Sequence, residues 1–276
     1  MAWRAGAPGW AAAGALLIIF GYALVLGVEF MLLARLNRSD PAPPASARLL
    51  LSAWWGEVCS APTVFCWRQP FRSRHWPDHL PAQAQGRRGL LLIHGFVCNR
   101  GIWNRWYARL QALGIAHVAV NLEPVFGPID ASAAIVEAAV RQLEDTTGLA
   151  PVVVAHSMGG LALRHWWALP GNAARVHHAI TLGTPHHGTW LARFAFSANG
   201  RQMRRGGAWL QALAQRETPG LAAQFTCFYS HCDNIVFPAS TATLAGADNR
   251  HLPGQAHVHM VDRPEPFEAV LSRLRG

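Results

Sequence analysis

The chain has no lysine, so its 24 basic side chains are all arginines. Together with 15 Asp and Glu residues they give a formal net charge of +9. The arginines are spread along the sequence and form no basic stripe interleaved with aromatic residues, which argues against a nucleic-acid-binding protein. The positive surplus would suit attraction to anionic lipid headgroups, or it reflects a compositional bias.

The sequence also lacks a C-x-x-C pair among its five cysteines. The odd number and the missing motif indicate neither a complete disulfide framework nor a zinc site. Cys59 with Cys66, or Cys227 with Cys232, could pair in an oxidising compartment, and Cys98 has no such neighbour. Free buried thiols are the alternative interpretation.

Histidine is abundant, with 14 residues, so no single histidine identifies a site by itself. Two adjacent pairs, at residues 177–178 and 186–187, have no carboxylate or cysteine at ligand spacing. We therefore expect no metal site and no cofactor.

Charged residues make up only 14 % of the 276 residues, which is low for a wholly soluble protein. Residues 5–28 carry no charge, and the apolar stretch resumes after Glu29 as far as residue 34. This run is long enough for a helix that crosses a hydrocarbon core of about 30 Å. We predict a short N-terminal flank at residues 1–9 and a transmembrane helix at residues 10–33.

A cleaved signal peptide is the competing interpretation of this segment. Its apolar region should span only about 7 to 15 residues before a small-x-small cleavage site. Here the run is longer, and the nearest Ala-x-Ala, at residues 45–47, lies beyond Arg35 and Arg38, which favours an uncleaved anchor. Arg4 on one side and Arg35, Arg38 and Arg48 on the other favour a cytoplasmic catalytic domain only slightly.

Residues 34–88 connect the anchor to the rest of the chain. The first part, residues 39–47, is rich in Pro and Ala and is typical of a semi-extended linker. Residues 48–88 are aromatic and irregular. They could supply edge strands, with residues 63–68 as the candidate, or a membrane-proximal collar, because Trp favours membrane interfaces.

From Gly89 onward, β-rich and helix-type segments alternate without an internal repeat. This alternation predicts an α/β domain at residues 89–276, with a doubly wound, mainly parallel sheet covered by helices on both faces. The predicted strands are residues 90–93, 116–122, 152–155, 176–182 and 225–229, and the predicted helices are 103–113, 131–144, 160–167 and 266–274.

The most informative segment is residues 155–160 (AHSMGG), which follows three consecutive valines. A short strand that enters a small-x-Ser-x-Gly turn and leaves into a helix holds a serine hydroxyl on a strained elbow above a parallel sheet. Small flanking residues are needed because the turn is tight, and Ala155 departs from glycine by one methyl group. Ser157 is therefore the predicted nucleophile.

A serine nucleophile needs a base and an orienting carboxylate, and in this fold class they follow later strands in the order Ser, acid, His. Asp233 comes directly after the last predicted strand, and His257 lies 24 residues further on in a loop of small residues. Asp248 is a rival acid in a sequence typical of an ordinary turn. His251 and His259 are rival bases.

The oxyanion of an acyl-transfer intermediate needs preorganised backbone N–H groups. One donor should be Met158, which follows the nucleophile at a helix N-terminus. The other should come from the loop after the first core strand, where His94 and Gly95 precede Phe96. The Phe96 N–H is the candidate, although a plain turn at the end of the strand is the alternative.

These residues resemble the α/β-hydrolase superfamily, and within it the small bacterial lipases and esterases. The resemblance covers residues 89–276 and rests on residues 93–96 (IHGF), on AHSMGG with Leu161 and Arg164, on residues 181–189 (TLGTPHHGT), and on the motifs around Asp233 and His257. It implies hydrolysis of carboxylic esters with lipophilic acyl groups through Ser157, His257 and Asp233. With the anchor, it places the protein in a bacterial inner membrane as a single-pass protein in contact with membrane lipid.

In such lipases the segment after the TPHHG motif often covers the acyl site, so residues 190–221 are a candidate lid. An ordinary pair of surface helices is the alternative. The same triad would also serve a thioesterase or an acyltransferase, because water and an alcohol compete for one acyl-enzyme. A non-catalytic, membrane-tethered binding protein with this fold is the alternative of a different class.

Overall fold

A computed structural model describes residues 8–275 of the chain. Most of the predicted flank at residues 1–9, including Arg4, and the C-terminal Gly276 therefore lie outside the described residues. The centre of the molecule is a sheet of six parallel strands: β1 Leu90–Ile93, β2 His117–Ala119, β3 Val152–His156, β4 His178–Leu182, β5 Phe225–Tyr229 and β6 Asp248–His251. They lie in the order β2-β1-β3-β4-β5-β6. The predicted doubly wound parallel sheet is confirmed.

The strands are short, as expected for a sheet that is buried on both faces. Their register places Leu92 beside Val154 and Val154 beside Ile180, so the strongest β-forming runs occupy the middle of the sheet.

The helices between the strands begin and end close to the predicted positions. The helix at residues 133–147 is followed by Gly148 in the left-handed conformation (φ 71°), which glycine adopts without a Cβ penalty. The bounds are α1 Pro8–Leu36, α2 Ala47–Pro62, α3 Gln69–Arg72, α4 Asn104–Ala112, α5 Ala133–Thr147, α6 Met158–Trp167, α7 Ala198–Gln202, α8 Ala208–Arg216 and α9 Pro264–Arg275.

Alternate residues of each strand face opposite sides of the sheet and meet different helices. On one side, Leu91 and Val153 belong to a buried cluster that includes residues of α5, α6 and α8. On the other side, Leu92 and Val154 belong to a cluster with residues of α4 and α9. This two-sided burial leaves the carboxyl ends of the strands as the place where loops converge.

Two expectations about local structure are wrong. Residues 63–68 form no edge strand; Thr63–Arg68 is a π-helical continuation of α2 that leads into α3. Val64 packs there against the cluster on the α4 and α9 side, so tertiary contacts override the local β propensity. Asp248 does not lie in an ordinary turn but begins β6 at the edge of the sheet.

Two segments of residues 8–275 are long and apolar enough to cross a membrane by length and composition alone. They are Phe20–Ser39 and Ala47–Arg72, and 22 % of each tested window is buried. This fits an anchor or a signal sequence only weakly, since a soluble core helix passes the same test. The anchor at residues 10–33 therefore stays a prediction.

The last third of α1 packs against the sheet domain. Phe30 and Leu33 are buried with Ala53 of α2, and this cluster includes Phe237 and Ala256 from loops beyond the sheet. The two N-terminal helices are also tied together, because the Trp54 indole N–H donates to the carbonyl of Ala23 at 2.9 Å. The helices thus extend from the domain as one packed pair.

Candidate active site

Two strained residues mark the ends of neighbouring strands. Ser157 follows β3 with φ 55° and ψ −130°, and Val97 lies beyond β1 with φ 54°. Over residues 8–275 they are the non-glycine residues with positive φ. A β-branched residue in this conformation is a clear outlier, and such strain concentrates at functional sites. Both positions belong to the loops that the sequence assigns to the nucleophile and the oxyanion.

The elbow at Ser157 lies so close to the loop after β1 that glycine is required on both sides. A Cβ at Gly159 would lie 2.5 Å from the carbonyl oxygen of His94, and a Cβ at Gly95 would lie 2.7 Å from the Cβ of Ser157. A carbonyl in the main chain cannot move aside as a flexible side chain can. This explains the small residues of the motif in physical terms.

We expect Gly159→Ala to lower the free energy of unfolding by about 1 to 3 kcal/mol, because the added methyl group overpacks the interior. The thermal midpoint of the purified variant checks this. Gly14→Ala is the matched control, since a Cβ there would have nothing within 4 Å. A Gly159→Ala midpoint equal to that of the control would contradict the steric account.

A buried acid–base pair lies beside the elbow. The His257 ring donates from Nδ1 to Oδ2 of Asp233 at 2.9 Å, and the residues are 4 % and 1 % exposed. The other oxygen, Oδ1, accepts the backbone N–H groups of Ile235 at 2.9 Å and Val236 at 2.8 Å. With Nδ1 as the donor, Nε2 of the neutral ring is an acceptor, as a general base requires.

The pKa of His257 lies above its ordinary value. Burial alone would lower this pKa, but the charge of Asp233 and its hydrogen bond raise it, with smaller contributions from Glu57 and Glu29. The positive imidazolium is therefore favoured, which is the state that the ring reaches after it takes a proton.

Ser157 and His257 line one cavity of about 200 Å³. No hydrogen bond joins the Ser157 hydroxyl to His257 in the part of the chain that the structure describes. Such bonds are often long in the absence of substrate and tighten in the reactive complex. The walls are mostly apolar and come from several elements: Leu26, Glu29, Glu57, Ala61, Phe65, Phe96, Cys98, His156, Asn234, Ile235 and Val258.

The two predicted oxyanion donors have no acceptor among the described residues. Met158 is the first residue of α6, so its N–H cannot bond within the helix. The Phe96 N–H lies in the turn that is closed by the Cys98 N–H and the Gly95 carbonyl. His94 supports this turn, since its Nδ1 donates to the Gly95 carbonyl at 2.8 Å and burial lowers its pKa to about 4, which keeps the ring neutral.

No family model matches the sequence, and no curated protein matches it. Solved structures do resemble it. The mature lipase BlEst2 of Bacillus licheniformis is 16 % identical with a TM-score of 0.60, over 68 % of this chain and 92 % of that one. Lipase B of Aspergillus fumigatus is 20 % identical with a TM-score of 0.61, over 71 % of this chain and 54 % of that one.

A monoacylglycerol lipase of Paleococcus ferrophilus is 12 % identical with a TM-score of 0.51, over 69 % of this chain and 96 % of that one. At such low identity these matches show the fold alone. The chain has the α/β-hydrolase fold. The expected superfamily resemblance is confirmed at the level of the fold.

Within this α/β-hydrolase fold, the rival site residues lie elsewhere. Asp248 pairs with the exposed Arg250 at 2.7 Å on the edge strand. The ring of His251 lies 4.4 Å from that of His231, and the ring of His259 lies against Gly56 of α2. The structure therefore brings Asp233 and His257 together and leaves the rivals in other surroundings.

The segment predicted as a lid begins at Trp190, which packs against the cluster of α1 and α2, and its later part lies beside the α5 and α6 layer. Leu210 and Leu213 of α8 are buried in that cluster, and Glu217 pairs with the buried Arg164 of α6 at 2.6 Å. Among the described residues, none of 190–221 lines the cavity at Ser157. Residues of α1 and α2, which lie outside the sequence resemblance to hydrolases, do line this cavity. The lid stays a prediction.

Sequence reasoning missed the residues that the N-terminal helices bring to this cavity. Glu29 and Glu57 are single carboxylates in otherwise apolar helical segments. A carboxylate in such a setting needs hydrogen-bond partners, so its isolation was a usable signal. His156 was missed too; its ring lies 4.6 Å from that of His257, and burial lowers its pKa well below the ordinary value.

The histidine pairs occupy separate polar networks. His178 shares a hydrogen bond with the Thr226 hydroxyl at 2.9 Å, and His186 shares one with the Thr181 hydroxyl at 3.1 Å. No group of three or more His, Cys, Asp or Glu side chains is arranged to hold a metal ion within residues 8–275. All five cysteines have unpaired thiols.

Proposed function

We propose that the protein is a serine hydrolase that cleaves carboxylic esters through an acyl-enzyme on Ser157. One observation carries the proposal: His257, which forms a buried pair with Asp233, shares a cavity with a serine held at a strained strand-to-helix turn. Nucleophile, base and orienting group are the parts that acyl transfer by serine requires.

In the proposed reaction the Ser157 hydroxyl attacks the ester carbonyl while Nε2 of His257 takes its proton. The Asp233 carboxylate holds the ring and stabilises the imidazolium. The N–H groups of Phe96 and Met158 receive the oxyanion. The imidazolium then gives its proton to the departing alkoxide, which leaves as the alcohol. Water, activated by the same ring, hydrolyses the acyl-enzyme and releases the carboxylic acid.

Lipophilic acyl groups are the proposed substrates. The cavity walls are mainly apolar, with Leu26, Phe65 and Val258 among them. Structural neighbours named as lipases support this choice, and the carboxyl ends of parallel strands are where such a site is expected. A cavity of about 200 Å³ is small for a binding site, which favours short or partly accommodated acyl chains.

The membrane placement is part of the same proposal. Apolar side chains are exposed along both N-terminal helices, including Leu17, Phe20, Leu24 and Trp55. Such a surface fits a lipid environment better than water. We propose a single-pass anchor in an inner membrane with the catalytic domain on the cytoplasmic side. Release of the full-length protein from membranes by alkaline carbonate alone would contradict the anchor.

The experiment is hydrolysis of p-nitrophenyl esters of increasing acyl length by the full-length protein in detergent. We expect turnover, with time-dependent loss of activity on exposure to a fluorophosphonate. Formation of a new ester with an added alcohol would identify an acyltransferase. A preference for acyl thioesters over acyl esters would identify a thioesterase. Absence of both turnover and labelling would favour a non-catalytic binding protein.

A further inference from the structure

Glu57 of α2 binds the main chain next to the proposed base. Its side chain is buried, and the residue is 2 % exposed. Oε1 accepts the N–H of Val258 at 3.1 Å, and Oε2 accepts the N–H of His259 at 3.0 Å. These are the two residues that directly follow His257. One carboxylate from an N-terminal helix thus satisfies two consecutive N–H groups of the loop that carries the base.

Glu29 of α1 reaches the same loop through one intermediate residue. Its Oε2 accepts from the side-chain amide of Asn234 at 2.7 Å. The amide oxygen of Asn234 accepts the backbone N–H of His257 at 3.2 Å. Asn234 is fully buried and follows Asp233 directly, so this contact also fixes the loop of the orienting carboxylate.

The backbone N–H groups of three consecutive residues, 257–259, therefore depend on side chains of α1 and α2. Those of residues 258 and 259 donate directly to Glu57, and that of residue 257 donates to Asn234, which in turn donates to Glu29. Both glutamates line the cavity that contains Ser157 and His257. The two helices are packed against each other, so the positions of the two carboxylates are fixed relative to one another. Burial raises the pKa of Glu57 to about 7, while the hydrogen bonds from the N–H groups of Val258 and His259 favour its ionised form, in which both oxygens accept and hold this main chain in place.

We propose that Glu29 and Glu57 are positioning residues for His257, so that the N-terminal helix pair completes the catalytic site in addition to any role as an anchor. This inference rests on the proposed ester hydrolysis at Ser157. Its physical basis is that a displacement of about 1 Å in a reacting group costs on the order of 100-fold in rate. Among residues 8–275, neither glutamate is hydrogen-bonded to the Ser157 hydroxyl or the His257 ring. Besides the small effect of their charge on the pKa of His257, they therefore act through the loop.

Glu57→Gln tests the first contact. The amide supplies only one acceptor oxygen and turns an NH₂ donor toward the other main-chain N–H, so one of the two hydrogen bonds is lost. We expect kcat for ester hydrolysis to fall about 10-fold to 100-fold with KM within about twofold of wild type. The rate of fluorophosphonate labelling at pH 8.5 should fall in parallel.

Glu29 offers a matched pair of variants. Glu29→Gln keeps an acceptor for the single hydrogen bond from Asn234 and should retain kcat within about threefold. Glu29→Leu removes the acceptor at similar volume and should lower kcat about 10-fold, again with little change in KM. Rescue by the amide but not by the apolar side chain is a pattern that loss of helix packing would not produce.

Glu144→Gln on α5 is the control, because it weakens a carboxylate hydrogen-bond network with Arg175 far from the cavity. It should change the thermal midpoint but not kcat. Wild-type values of kcat and labelling rate in both Glu57→Gln and Glu29→Leu would overturn the inference. If Glu57→Gln does not fold, equal kcat in the two Glu29 variants overturns it. A wild-type protein without turnover or labelling would instead refute the proposed function.

Discussion

Replacing Ser157 by alanine should lower ester turnover by a factor of about 10⁴ or more and abolish covalent labelling by a fluorophosphonate. The reason is that the hydroxyl supplies the only atom that forms the acyl bond in the proposed reaction. Neighbouring N–H groups cannot replace it. Hydrolysis rates and gel-based labelling of purified wild-type and variant proteins measure the effect.

Ser132→Ala is the matched control for this experiment. Ser132 is as buried as Ser157, at 5 % against 6 % exposed, and its hydroxyl donates to the Ile129 carbonyl. The control should keep wild-type labelling, and both variants should fold. Labelling of Ser157→Ala at the wild-type rate would exclude this serine as the nucleophile.

The second large effect is expected for Asp233→Asn, with a fall in kcat of about 10³-fold to 10⁴-fold. An amide NH₂ opposite Nδ1 favours the ring tautomer with the proton on Nε2, and that tautomer cannot accept the serine proton. The shape of the site is otherwise kept, because the amide oxygen can still accept the N–H groups of Ile235 and Val236.

The same substitution should shift the pH profile. His257 acts as a base only when unprotonated, so kcat/KM rises with pH through the pKa of this ring. Asp233 raises that pKa, which places the acid limb of the wild-type profile above about 6.5. In Asp233→Asn the carboxylate charge is lost, so the rise of the remaining kcat/KM with pH should occur at lower pH than in wild type.

Asp248→Asn, at the rival acid, is the comparison variant for this profile. Asp248 is exposed and paired with Arg250, so its loss should leave both kcat and the acid limb unchanged. A profile for Asp233→Asn that coincides with wild type, or a large loss in Asp248→Asn, would assign the orienting role to another group.

Much of the sheet could be predicted because its signals are local. Three successive valines before the serine elbow lie in β3, and residues 90–93 and 225–229 form β1 and β5 at the predicted bounds. Runs of β-branched and large apolar residues bounded by turns are enough to place such strands. The pairing of Asp233 with His257 was predictable because, in this fold class, the acid and the histidine follow later strands than the serine, in the order Ser, acid, His.

The wrong expectations arise where tertiary contacts decide. Residues 63–68 combine β-branched and aromatic side chains, yet they continue a helix because that helix packs on the domain. Asp248 begins a strand although its surroundings are rich in turn residues, because β5 offers an open edge for pairing. No local pattern distinguishes these outcomes.

The contacts of α1 and α2 with the site could not be predicted from the sequence, for a different reason. Glu57 and Val258 are 201 positions apart, and Glu29 and Asn234 are 205 apart, so no spacing connects them. The apolar character of residues 10–33 predicts a membrane helix equally well whether or not its last turns contact a cavity. Only the two isolated carboxylates indicated that these helices have partners.

The most direct test of Ser157 as the nucleophile is to map the covalent adduct. The full-length protein is inactivated with a fluorophosphonate and digested, and the modified peptide is sequenced by mass spectrometry. We expect one adduct, on Ser157, in a yield that matches the loss of esterase activity. An adduct on another residue, or full inactivation without modification of Ser157, would contradict it.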